Sequence, residues 1–166
     1  MQNEILRNLN FDLKKGGLFF KEVRYLLIRP ETLITFQKSL EKELAGKASE
    51  ILFQSGFQGG SLSSQKYKEV FRLSDEEIIN FMVKMGSQIG WGRFEADKFD
   101  PVEKHLTINV YHSPFAEAYG SSTFPVCHFI RGVISGMASL IFGEEREGKE
   151  LSCLAMGDPY CRFKVI

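Results

Sequence analysis

No cysteine precedes position 127, and only Cys127, Cys153 and Cys161 follow. Three thiols in a chain of 166 residues exclude a small scaffold held by several disulfides. A charge excess is missing too, since 21 Lys and Arg balance 21 Asp and Glu. Without a basic surplus the chain has no electrostatic footprint for nucleic acid. No apolar run approaches the ~20 residues of a membrane span. The longest candidate, 124–142, is interrupted by His128, Arg131, Gly132, Ser135, Gly136 and Ser139 and reads as a core helix. Residues 1–7 are polar and lack the apolar core of a secretory signal, so the expected setting is cytoplasmic, with reduced thiols. Only three histidines occur, and neither Ser-His-Asp nor H-E-x-x-H spacing is formed. The glycines at 56–60 and in Gly90-Trp91-Gly92 fit neither a phosphate loop nor a dinucleotide fingerprint. With no site for an electron-carrying cofactor, the sequence points away from a reductase and toward binding.

What is present suits one ordinary domain over residues 1–166: 43% hydrophobic and 25% charged residues. Phenylalanine is abundant, with fifteen copies. Either a Phe-rich core or an aromatic-lined pocket for an apolar, planar ligand accounts for it.

Hydrophobic periodicity gives the layout. Residues 1–29 read as two short extended pieces about the turn Lys14-Lys15-Gly16-Gly17, with strands at 18–20 and 24–29. Pro30 then opens a helical pattern, Leu33, Phe36, Leu40 and Leu44, with a bend or break at Gly46. Gly56 to Ser64 fits either a loop or a close helix contact. Ser74 and Glu77 form a capping box ahead of the apolar face Ile78, Ile79, Phe81, Met82, Met85 and Ile89. Residues 92–99 and 105–112 alternate with period two and form a hairpin. A short helical turn is expected at 115–119, and a last helix from Pro125 to Phe142, stopped by Gly143. A closing hairpin turns at Met156-Gly157-Asp158-Pro159. The expected fold is α+β, a mainly antiparallel twisted sheet with helices on one face.

That last hairpin brings Cys153 and Cys161 to the same level of adjacent strands. Three readings stay open for the thiols: inert buried cysteines, a cross-strand disulfide, or a four-ligand zinc site with Glu150.

The stretches Cys127-His-Phe-Ile-Arg-Gly-Val-Ile-Ser-Gly136, Glu150-Leu-Ser-Cys153 and Gly157-Asp-Pro-Tyr-Cys-Arg-Phe163 resemble the 4-vinyl-reductase-type small-molecule-binding domain. The resemblance is specific over 124–166 and general over 24–123. The family includes sensor domains of hydrocarbon-responsive bacterial regulators, an accessory protein of bacteriochlorophyll synthesis and stand-alone archaeal proteins. Its fold is similar to that of TRAPP vesicle-tethering subunits.

The resemblance implies a structural zinc held by Cys127, Glu150, Cys153 and Cys161, with no open position for catalysis. Glu150 and Cys153 lie an odd number of residues apart, so a regular strand would point them to opposite faces, and either a bulge or a strand that starts after Glu150 must resolve this. The resemblance also implies a ligand pocket between helices and sheet. Candidate lining residues are Phe81, Met85, Val110, Phe129 and Met156, with Trp91, Tyr111 and His112 as orienting groups. In the hydrocarbon sensors a histidine and a tryptophan orient a phenolic hydroxyl. Here Tyr111 and His112 fall near the tryptophan's place, so phenol specificity does not carry over. The implied protein is a homodimeric sensor or carrier of a small hydrophobic or aromatic ligand. Because the chain ends directly after the motif, its signal is expected to pass to a separate effector protein or through a change in the homodimer. The rival readings are an accessory protein or enzyme for vinyl-group reduction in tetrapyrrole synthesis, and a non-catalytic scaffold subunit.

Overall fold

The computed structural model describes residues 3–166. The elements are α1 (Glu4–Arg7), β1 (Leu9–Asp12), β2 (Gly17–Phe20), β3 (Val23–Tyr25), α2 (Pro30–Leu44), α3 (Gly46–Phe71) and α4 (Asp75–Gln88). They continue with β4 (Arg93–Asp100), β5 (His105–Tyr111), α5 (Pro114–Tyr119), α6 (His128–Phe142), β6 (Lys149–Ser152) and β7 (Cys161–Val165). Two sheets form, β1-β2-β3 and β4-β5-β7-β6, and every pairing is antiparallel. The α+β expectation holds.

The N-terminal reading needs correction. Positions 1 and 2 lie outside the described residues, and Glu4–Arg7 is helical rather than extended, with the Asn3 side chain accepting from the Leu6 N–H. The strand expected over 24–29 ends at Tyr25. Tyr25 pairs with Leu18, and β2 begins at Gly17, so the ladder runs out. Leu26, Leu27 and Ile28 are left exposed before Pro30 starts α2.

Ala45, at φ 48°, breaks α2 from α3, one residue before the Gly46 that marked the break in the sequence. The glycine-serine stretch at 56–64 is helix, not loop. Its glycines face those of α6. A Cβ on Gly56 would stand 2.1 Å from the Phe129 carbonyl oxygen, and one on Gly60 2.2 Å from that of Val133. In return, Gly132 and Gly136 would meet the carbonyl oxygens of Phe53 and Phe57 at 2.1 and 2.0 Å. The two helix backbones therefore touch, which only glycine at all four positions permits.

The Ser74–Glu77 capping box forms in both directions. The last helix starts at His128, not Pro125. Backbone groups just before it bond elsewhere: the Val126 carbonyl accepts from Gln37 Nε2 at 3.0 Å, and the Cys127 N–H donates to Glu150. The main core joins β5 and β7 to α6 through Leu106, Ile108, Val110, Ile130, Ile134 and Phe163. A second core, Ile5, Phe20, Tyr67, Ile78 and Met85, lies under the N-terminal elements.

Candidate functional site

Three buried thiols and one carboxylate converge where α6 begins. Cys127 is the residue before α6, Glu150 lies in β6, Cys153 just beyond β6, and Cys161 opens β7. Their ligand atoms all lie within 4.8 Å of one another. The β6–β7 register shifts between Glu150 and Ser152, the irregularity that resolves the odd spacing, and it turns Glu150 and Cys153 to the same side. The loop after β6 is pinned by the Cys153 N–H donating to Asp158 Oδ2 at 2.8 Å, and Gly157 at φ 94° returns the chain to Cys161.

The thiols are free, with Cys127 and Cys161 sulfurs 3.7 Å apart. A disulfide requires about 2.05 Å. Two thiolates of a tetrahedral centre with bonds of about 2.3 Å stand about 3.8 Å apart, so the observed separation suits a shared cation. Glu150 Oε2 accepts from the Cys127 N–H at 3.0 Å, whereas Oε1 is buried without a partner among the described residues. Such an orphaned carboxylate oxygen is costly unless something positive meets it.

The electrostatics agree. Hydrogen bonds from Cys127 and Cys161 hold the Cys153 thiol far below its ordinary range. Burial, then the negative charge at Cys153, pushes Glu150 up to about 9. Hydrogen bonding to Cys153 and Cys161, with burial, holds Cys127 well above its usual value. At Cys161 the bond to Cys127 favours the thiolate, but the bond to Cys153 and burial prevail and raise it to about 12. One negative charge is thus tolerated and four are not, unless a cation offsets them. The group can hold a metal ion.

A separate, partly open cavity of about 170 Å³ lies between α3, α4, α6 and the larger sheet. Its lining is almost wholly apolar, including Met82, Met85, Trp91, Phe94, Phe129 and Met137. No Asp, Glu, Lys, Arg or His among the described residues lines it. Trp91 packs edge-on to Phe115 at 5.5 Å and beside Phe129 at 5.9 Å. A larger, open groove of about 660 Å³ borders the thiol cluster at Glu150. It also carries Glu41, His128, Arg131 and Lys149, which suits solvent better than an apolar ligand.

Of the candidate ligand residues, Met85, Trp91 and Phe129 line the cavity. The other five lie outside it. Phe81 faces Tyr67 and Phe71, with ring centroids 5.0 and 5.1 Å away. It is one position from Met82, about 100° around the helix. Val110 is core beside Gly92. Tyr111 points to the opposite sheet face, packed on Tyr160 and under the Arg93 guanidinium. His112, at φ 53°, is a surface residue with its side chain 85% exposed. Met156 is exposed on the closing turn. Sequence reasoning missed Tyr25, Tyr67, Phe94, Ile108 and Met137, which line the cavity. Tyr67 had a signal, lying on the face of α3 that carries Gly56, Gly60 and Ser64 at helical spacing.

Residues 4–101 match the family described as activator of aromatic catabolism, and residues 106–166 match the vinyl-4-reductase-type domain. The resemblance found at 124–166 is thereby borne out. The phenol regulator MopR of Acinetobacter guillouiae is 25% identical over 170 residues, covering 96% of this chain and 30% of that protein. The chain thus spans about a third of the length of that curated relative. Among solved structures, the phenol-responsive sensory domain of the transcription activator PoxR, with phenol, superposes with a TM-score of 0.84 at 22% identity. That match covers 97% of this chain and 85% of the other. A vinyl-4-reductase family protein from Methanocaldococcus jannaschii gives 0.56 at 20% identity, over 88% of this chain and 84% of the other. A trafficking protein particle complex subunit 3 from Naegleria fowleri, covalently bound to palmitic acid, also gives 0.56, at 14% identity, over 82% and 93%.

Proposed function

The chain belongs to the activator-of-aromatic-catabolism family, and from that premise we propose that it is a sensor domain for a small uncharged aromatic molecule. The cavity carries the reading: about 170 Å³, lined mainly by aromatic and aliphatic side chains with methionines, and free of charged groups among the described residues. An apolar protein cavity of about 150 Å³ accommodates benzene. A single substituted ring therefore fits, and a tetrapyrrole is several times too large, which weighs against the vinyl-reductase reading. Met82, Met85 and Met137 give the wall soft, adaptable surfaces that favour contact with ring edges. The names of MopR and PoxR both carry phenol, which supports the aromatic class.

Cys127, Glu150, Cys153 and Cys161 are the proposed ligands of a structural zinc. Thiolate-rich, tetrahedral donor sets suit zinc. Bound there, the ion would supply charge neutralisation and a cross-link, with no reaction step. The residues themselves then join the start of α6 to the β6–β7 hairpin. Because α6 also supplies Phe129, Ile134 and Met137 to the cavity, the clamp would hold one pocket wall in position. A second copy of the chain is the proposed cover for the apolar run Leu26-Leu27-Ile28. Ligand-dependent change would pass from the domain to an effector.

Trp91 is the only tryptophan and lines the cavity, so its emission reports binding directly. Phenol and toluene should change Trp91 fluorescence saturably, and benzoate should not, since its carboxylate finds no cationic partner. No saturable change with any neutral single-ring compound would overturn the sensor reading.

A further inference from the structure

Four side chains with an O–H or N–H line the cavity, Tyr25, Ser63, Tyr67 and Trp91, and they are not equivalent. Ser63 is only half-buried, and the Trp91 indole can donate but not accept. Tyr25 is engaged, its hydroxyl lying 3.7 Å from Met85 Sδ. Tyr67 lines the same cavity from α3. The residue is 2% exposed, and its hydroxyl oxygen is buried without a hydrogen-bond partner among the described residues. Its ring is packed between Phe81 at 5.0 Å and Phe71 at 6.1 Å. The side chain therefore cannot easily swing its hydroxyl to solvent. Buried hydroxyls in native proteins almost always have a partner, and phenolic ones in particular.

We infer that the Tyr67 hydroxyl is the hydrogen-bonding anchor that meets a polar substituent of the ligand and sets selectivity between rings with and without one. The inference rests on the proposed aromatic-sensor reading and adds the residue that sets selectivity. A phenolic hydroxyl both donates and accepts. It can meet a ligand hydroxyl, carbonyl or ether oxygen, while an anionic ligand would enter a wall with no cation to offset its charge. Of the three groups proposed from the sequence for this orienting role, Tyr111 and His112 lie outside the lining and Trp91 lies in it, packed against Phe115 and Phe129; Tyr67 adds a hydroxyl on a different element that can both donate and accept, where an indole N–H only donates.

The test compares phenol with toluene, rings of similar size that differ in one hydroxyl, by Trp91 fluorescence titration of wild type, Tyr67→Phe and Ser64→Ala. Ser64 Oγ is likewise buried and unpartnered, but Ser64 does not line the cavity, so it controls for a general effect of removing an orphaned hydroxyl. A net neutral hydrogen bond corresponds to roughly a 3- to 10-fold preference. Wild type and Ser64→Ala should bind phenol more tightly than toluene by that factor. Tyr67→Phe should bind both alike, with toluene affinity unchanged within about twofold. Because the lost hydroxyl has no protein partner, the Phe variant should keep its melting temperature; Tyr67→Met replaces it if it does not fold. A Tyr67→Phe protein that retains the wild-type phenol preference overturns the anchor and leaves the sensor reading standing. Wild type that binds neither compound overturns both.

Discussion

Cys153 is where a single residue has the largest expected effect. It is fully buried, hydrogen bonds from Cys127 and Cys161 hold its thiol far below the ordinary range, and its backbone N–H is tied to Asp158. If the four residues hold zinc, Cys153→Ala should abolish stoichiometric zinc in the purified protein, measured by elemental analysis. Loss of a ligand present at about a thousand times its dissociation constant removes about 4 kcal/mol. For a domain of this size that lowers the melting temperature by about 10 °C. A variant melting within about 2 °C of metal-loaded wild type would count against a clamp. Glu150 matters for a different reason: its Oε1 is buried and unpaired while Oε2 already accepts from Cys127. The odd spacing between Glu150 and Cys153 was legible in the sequence; that a bulge rather than a later strand start resolves it was decided by the β6–β7 register. The protonation pattern was not legible, because it depends on distances between groups up to 34 residues apart.

At the scale of elements, the α3–α6 contact governs the pocket. Both helices contribute cavity wall, and four glycines let their backbones meet. Gly136→Ala places a Cβ 2.0 Å from the Phe57 carbonyl oxygen, which is backbone and cannot rotate away. The helices must part. Overpacking of this kind costs about 1–3 kcal/mol, measurable by urea denaturation. The variant should also lose Trp91-detected phenol binding, since parting the helices changes the cavity. Stability equal to wild type would show that the contact can relax. The glycine spacing in α6 was visible along the chain, and so was the capping box of α4. Whether Gly56 to Ser64 was loop or helix was not, because a glycine-rich helix is stable only when another backbone lies against it.

At the scale of the whole molecule, among the described residues, Leu26-Leu27-Ile28 forms a run of three consecutive exposed apolar side chains. Leu26 and Leu27 are 82% and 86% exposed and Ile28 lies beside them, after an edge strand whose ladder stops at Tyr25. If a second copy covers them, wild type should elute as a dimer and a Leu26→Ser, Leu27→Ser variant as a folded monomer, by size exclusion with light scattering. A wild-type monomer at micromolar concentration would remove that interface. Among the described residues no helix is long and apolar enough to cross a membrane, as the interrupted run at 124–142 implied.

What the sequence determined by itself was the class of fold and most element positions, which rest on local periodicity, caps and turns that a linear chain displays. Spacing alone left the thiols open between inert cysteines, a disulfide and a metal site, and it was the family resemblance that singled out Cys127, Glu150, Cys153 and Cys161 as a set. Tertiary structure decided the cavity. Met85, Trp91 and Phe129 face it, while Phe81, one residue from Met82, turns toward Tyr67 instead. Tyr111 falls on the far sheet face and His112 in solvent. A cavity is the space left where α3, α4, α6 and the sheet fail to close. Its walls are chosen by how those elements are rotated and how nearly they approach, and that is set by packing between residues far apart in sequence.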